Sequence, residues 1–274
     1  MPSTQPIGVF DSGYGGLTVL KSIVEKLPAY YFIYLGDNAR SPYGNRSFET
    51  VYQYTRECVQ WFFSKGCPLV ILACNTSSAK ALRTIQQQDL VESGTKNRVL
   101  GVIRPTTEIA GLLSKTGHVG ILATSGTVYS GSYVLEIKKF FPDVKVFQQA
   151  CPLWVPLIEN NEHQGPGADY FIKKYADGLL SQSPEIDTVL LACTHYPLLM
   201  DRLSLYFPSS IQIVAQGDIV AKSLVTYLKN HPEIESRCSK QGQLSFYTTD
   251  DCADFDLHGG YFYGAGVKSE RVFL

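Results

Sequence analysis

The sequence predicts an α/β fold with mainly parallel sheets, and three observations carry that prediction. Short β-rich runs alternate with longer helical stretches along the whole chain. Several runs, such as "LVILA" and "TVLLA", are apolar throughout, the pattern of strands covered by helices on both faces. An internal echo points to two similar domains. "IGVFDSGYGGLTVL" followed by "LVILACNTSSA" resembles "VGILATSGTVYSGSYVL" followed by "VLLACTHYPLL", and Gly8 to Cys74 spans 66 residues against 73 from Gly120 to Cys193.

Taken in order, the expected strands are 7–10, 30–35, 69–73, 99–103, 118–123, 145–149, 188–192 and 212–215. Each is a short run rich in β-branched or aromatic residues and bounded by turn formers. Helical stretches fall between them, among them 16–27, 47–66, 76–88 and 167–182, where apolar residues recur at three and four. The tail, 243–264, has few helix signals and reads as strand and loop.

The bulk properties narrow the functional class. At 274 residues with 45% hydrophobic and 18% charged residues, the chain can bury a full core as a globular protein. The net charge of −1 is spread without a basic stripe, which excludes nucleic acid as the expected partner. "MPSTQPIGVFDSG" lacks the cationic start and apolar centre of a signal peptide, and no run of 18 apolar residues predicts a membrane span, so a cytoplasmic location is expected. The seven cysteines form an odd set without a CxxC pair, against both a disulfide framework and a zinc site. The five histidines show no ligand spacing such as HExxH, and no metal is expected.

In open parallel sheets, ligands sit beyond the carboxyl ends of the strands. "DSGYGG" places Asp11 and Ser12 there, although Asp11 could equally cap the next helix. "DNARSPYG" ends in Tyr43 and Gly44, and "ATSGTVYS" supplies Thr124 and Thr127 as neutral hydrogen-bond donors. "CNTSSA" and "CTHYP" each begin at a strand end and are expected to open a helix, which would set Asn75 and Thr76, or Thr194 and His195, at its anion-favouring N-terminus. The same position is expected to lower a thiol's pKa. His195 beside Cys193 allows a cysteine hydrolase, or simply a capping histidine. A hydrolase leaves Cys74 unemployed, whereas stereoinversion at a carbon acid employs both thiols, one removing a proton and the other returning one from the opposite face.

"FDSGYGGLTV", "DNARSPYG", "ACNTSSA", "ATSGTVYSGSY", "PLWVPLIE" and "ACTHYP", in that order, resemble the glutamate racemases of the cofactor-independent aspartate/glutamate racemase superfamily over about residues 7–225. The resemblance implies two α/β domains facing each other across an active-site cleft, residues 1–98 with 211–274 as the first and 99–210 as the second. It implies Cys74 and Cys193 as the acid/base thiols, with Asp11 assisting Cys74, and His195 and Glu159 assisting Cys193. Ser12, Tyr43, Gly44, Asn75, Thr76, Thr124, Thr127 and Thr194, along with Asp11 and His195, would hold the substrate, and Asp37 would support the loop ending in Tyr43. It further implies glutamate as the small-molecule substrate, a homodimer, and supply of D-glutamate for peptidoglycan synthesis.

Two stretches depart from the family pattern: "GVIRPTTE", with Arg104 where an acidic residue is more usual, and "VAQGDIVA", which replaces a pattern with aspartate and proline or serine. No cofactor is expected, because the strand-end loops contain no lysine for a pyridoxal Schiff base; Lys80 is the nearest, on a helix surface. The other readings are a racemase for aspartate or another acid, a binding-only amino-acid sensor, and a metallohydrolase.

Overall fold

The computed structural model describes residues 5–264 and 266–274. Ten strands are named in chain order: β1 (Ile7–Asp11), β2 (Phe32–Gly36), β3 (Leu69–Leu72), β4 (Arg98–Gly101), β5 (His118–Ala123), β6 (Lys145–Ala150), β7 (Thr188–Ala192), β8 (Gln212–Val214), β9 (Leu244–Thr248) and β10 (Ser269–Arg271). They form a six-stranded sheet in the order β10-β9-β2-β1-β3-β4 and a four-stranded sheet in the order β6-β5-β7-β8. Every strand pair is parallel. The all-apolar runs are the sheet centres: β1, β2, β3, β5 and β7 are buried along their whole length.

Both faces of each sheet are covered, which explains why these strands do not alternate apolar with polar. In β1, Ile7 and Val9 enter one core and Phe10 another, which also holds Phe62 of the Phe48–Ser64 helix. In the smaller sheet Val119, Ile121 and Ala123 pack with Tyr133 and Ile137, while Leu122 and Leu191 belong to the same core as Ile7 and Val9. One apolar core therefore runs continuously between the inner faces of both sheets. The Gly16–Lys26 helix packs along the Gly217–Asn230 helix, fixing the second crossover against the first unit.

Three expectations need correction. The boundaries at 98/99 and 210/211 each cut a strand from its sheet: β4 is an edge of the larger sheet and β8 an edge of the smaller, so the sheets divide after Gly101 and after Val214. The tail is not only strand and loop, since Cys252–Tyr263 is a helix capped by the Asp251 side chain, which accepts from the Asp254 N–H. Gly259 and Gly260 hide it from a propensity reading, but Phe255, Gly259 and Phe262 form its buried stripe. After Cys193 the chain makes a 3-10 turn, Tyr196–Leu199, before a single helical turn at Met200–Leu203, so only the first cysteine motif opens an α-helix.

Candidate active site

The strand register aligns the site. Ala123, Ala150 and Ala192 lie side by side across β5, β6 and β7, so the next residues, Thr124, Cys151 and Cys193, share one rim of the smaller sheet. In the larger sheet Phe10 pairs with Leu72, bringing the loops that carry Asp11–Ser12 and Cys74 to its corresponding rim. Between the rims lies a cavity of about 130 Å³. That is below the roughly 300–1,000 Å³ of pockets for larger ligands and suits a compact molecule. Cys74 and Cys193 both line it, each 6% exposed.

Ser12, Tyr43, Gly44, Asn75, Thr76, Thr124, Thr194, His195 and Glu159 line it too. Asp11 and Thr127 stand one layer behind the wall. Asp11 is almost fully buried, accepting from the Gly13 N–H at 3.0 Å and from the Thr194 hydroxyl at 3.2 Å. The residue that meets the Cys74 sulfur is Ser12, with its Oγ at 3.5 Å. Thr127 is fully buried, and its hydroxyl lies 3.2 Å from the Thr124 Oγ1. The Asn75 side chain is engaged away from the cavity, donating to Gln216 and accepting from Tyr133. The Tyr43 hydroxyl donates to Asp37, which also accepts from Arg40 Nε at 2.7 Å and from Thr249 at 2.8 Å, so Asp37 anchors that loop.

Cys74 caps the Asn75–Lys80 helix, its sulfur accepting from the Ser77 N–H at 3.5 Å. Thr124 caps the Ser125–Ser130 helix with the same spacing. Two helix N-termini from opposite sheets thus face one cavity and favour bound anionic groups. The cap pulls the Cys74 thiol down as expected, but burial outweighs it. Burial pushes it up to about 11, the Asp11 carboxylate adds to the push, and hydrogen bonds from Ser12 and Ser77 only partly offset it.

At Cys193 the surroundings differ. His195 Nδ1 lies 3.9 Å from the sulfur, and Nε2 is 2.9 Å from Glu159 Oε1. Burial alone would lower the imidazole, but the hydrogen bonds to Cys193 and Glu159 and the Glu159 charge outweigh it and hold the ring well above its ordinary pKa. Asp11 is raised by burial, against the pull of His195. Lys80 donates to the Arg46 carbonyl and does not line the cavity.

Ser41, Cys151, Pro152 and Val155 also line the cavity and escape the sequence reading. The strand-end rule that found Cys193 applies equally to the run 145–149 and would have found Cys151. Val155 stands inside the "PLWVPLIE" stretch, from which the sequence reading took only Glu159, and it reaches the cavity from the Trp154–Glu159 helix.

The family of Asp/Glu/Hydantoin racemases matches residues 7–224 of the chain. A glutamate racemase of Persephonella marina is 36% identical, with 98% of this chain and 97% of the relative aligned. The fold is similar to a glutamate racemase of Bacillus anthracis, with a TM-score of 0.90, 30% identity, and coverage of 99% of this chain and 98% of the other. It is also similar to the Francisella tularensis glutamate racemase in complex with D-glutamate, with a TM-score of 0.84, 30% identity, and coverage of 98% and 97%.

Proposed function

This chain belongs to the Asp/Glu/Hydantoin racemase family, and from that premise we propose that it interconverts L- and D-glutamate through two thiols. The observation that carries the reading is the convergence of Cys74 and Cys193, from different sheets, on one small cavity. A hydrolase has no use for that pairing. One cysteine, as thiolate, removes the α-proton from one face of the substrate; the other, as thiol, gives a proton to the opposite face. The two then hold exchanged protonation states, ready for the reverse direction. The helix N-termini at Asn75 and Ser125, with the hydroxyls of Ser12, Thr76 and Thr124, supply donors for carboxylates and for the charge that develops at the α-carboxylate. Protonated His195, held by Glu159, donates toward the Cys193 sulfur when that sulfur is anionic.

Glutamate is favoured over aspartate by the relatives, which carry the glutamate racemase name at 36% identity across nearly the full chain. A panel of L- and D-acids followed by circular dichroism separates the two readings: glutamate should racemize fastest, and faster aspartate turnover would overturn the assignment. Cys74→Ala and Cys193→Ala should each lose racemization by about 10²–10⁴-fold or more, the usual contribution of a positioned acid or base. A binding-only sensor would keep ligand affinity without either thiol and show no turnover. Supply of D-glutamate to peptidoglycan synthesis, a cytoplasmic location and a homodimeric state complete the proposal. The peptidoglycan role and the homodimer follow from the motif resemblance, and sedimentation checks the last. Among the described residues, no helix is long and apolar enough to cross a membrane.

A further inference from the structure

Gln216 lies in "VAQGDIVA", the stretch that departs from the family pattern, and it does not line the cavity. It is 3% exposed and sits at the second crossover, immediately before the Gly217–Asn230 helix. Its Oε1 accepts from Asn75 Nδ2 at 2.7 Å. Its Nε2 donates to the Tyr133 hydroxyl at 2.7 Å and to Thr106 Oγ1 at 2.8 Å. The Tyr133 hydroxyl in turn donates to Asn75 Oδ1 at 2.7 Å, which closes a ring of three side chains. Tyr133 and Thr106 are fully buried and Asn75 nearly so. A buried ring in which each polar group is matched holds one geometry, because any displacement leaves donors and acceptors without water or partner.

The ring gathers separate parts of the molecule. Asn75 is the first residue of the helix that Cys74 caps, Tyr133 stands on the Ser132–Phe140 helix of the second unit, and Thr106 belongs to the first crossover. A shift of Asn75 moves its covalent neighbour Cys74 and also the Ser77 N–H that holds the Cys74 sulfur. The Gln216 ring includes no residue next to Cys193 in the chain: there the covalent neighbour Thr194 is tied separately, to Asp11 at 3.2 Å and Thr18 at 2.9 Å, and the sulfur neighbour His195 is held by Glu159.

We propose that Gln216 is a positioning residue that acts through Asn75 to set the Cys74 sulfur, and not the Cys193 sulfur, against the substrate. The inference deepens the two-thiol reading above and rests on it for the kinetic outcome. The two enantiomers are equal in energy, so kcat/KM must fall equally in both directions whichever thiol is disturbed. A directional readout is therefore needed.

The experiment compares the full-length protein with Gln216→Leu and Gln216→Glu. Iodoacetamide alkylation of Cys74 and Cys193 is followed peptide by peptide in a mass spectrometer, and α-deuterium isotope effects are measured from L- and from D-glutamate. Gln216→Leu should change the alkylation rate of Cys74 several-fold and leave that of Cys193 unaltered. It should lower kcat/KM by about 10- to 100-fold, the scale expected for a misplaced reacting group. The isotope effect should rise for one enantiomer only. Gln216→Glu, which keeps the acceptor to Asn75, should lie between Leu and the parent. Equal changes at both cysteines, or none at Cys74, overturn the proposal. The alkylation arm needs no substrate, so its failure is distinct from failure of the glutamate reading, which would show as an unaltered parent enzyme that turns over no glutamate.

Discussion

Cys74 and Cys193 reach the same cavity with different companions, and the difference sets what each substitution should do. Cys74 has Ser12 and a backbone N–H beside it and a buried carboxylate, Asp11, behind it. Burial raises Asp11, so its ionised form costs stability. The sign follows from linkage: a carboxyl whose folded pKa lies above the unfolded one contributes fully below about 3.8, and that contribution is lost as pH rises through the folded value. Asp11→Asn should therefore stabilise the protein at pH 7, where the buried carboxylate is otherwise disfavoured, and raise its Tm there. It should also slow turnover, since Asp11 orders Thr194. Thermal melts at pH 7 and pH 4 check it: the gain in Tm should be present at the first and vanish toward the second. His195 has the opposite consequence. Its folded pKa is raised, so the Glu159 pair stabilises most below about 6.5 and its contribution fades as pH rises through the folded value. Glu159→Gln should cost stability at acid and neutral pH, with the cost fading only as pH rises through the raised His195 value, and move the pH–rate profile toward acid, measured by melts and by kcat/KM against pH. At this scale the sequence marked both thiols and their polar company. It could not show that the Asn75 side chain turns from the cavity, or that Thr127 lies behind Thr124, because those depend on rotamers set by Gln216, Tyr133 and the second sheet.

The elements succeed or fail as predictions according to where their partners lie. The strands were readable because both faces are buried and the apolar residues run unbroken. The helix Cys252–Tyr263 was hidden because its stripe includes Gly259, which lets Leu17 and Val267 approach the backbone. That helix matters to the site, since Phe262 sets its ring edge-on against His195 with centroids 5.2 Å apart. The loop after β1 is equally tight. A Cβ at Gly15 would stand 2.2 Å from His195 Nδ1 and 2.4 Å from Thr194 Oγ1, closer than atoms can approach. Gly15→Ala should accordingly displace the histidine that faces Cys193 and cut kcat/KM by about 10²-fold, as expected for a reacting group moved by about 1 Å. The backbone at Gly15 is in the ordinary right-handed region, so the penalty is steric, and the chain should still fold. Circular dichroism and kcat/KM together check this: a folded variant with full activity would contradict it.

For the whole molecule, the decisive feature is that the two sheets offer their strand ends to each other. Contacts cross between the units at the site: the Thr76 and Thr124 hydroxyls meet at 3.0 Å, and the Gly126 N–H donates to the Gly44 carbonyl at 2.8 Å. The internal echo in the sequence anticipated two like units, but the partners of Gln216 lie 83 to 141 residues away, beyond any local pattern. The parallel sheets place each thiol at a rim, and facing rims permit proton transfer on opposite faces of one carbon. Running L-glutamate in D₂O tests this arrangement most directly, with hydrogen at the α-carbon followed by NMR or mass spectrometry in the first turnovers. Two thiols on opposite faces predict D-glutamate that carries solvent deuterium from the outset, while unreacted L-glutamate keeps its protium. D-Glutamate that retains the substrate's own hydrogen would mean a single base served both faces, and would contradict the account.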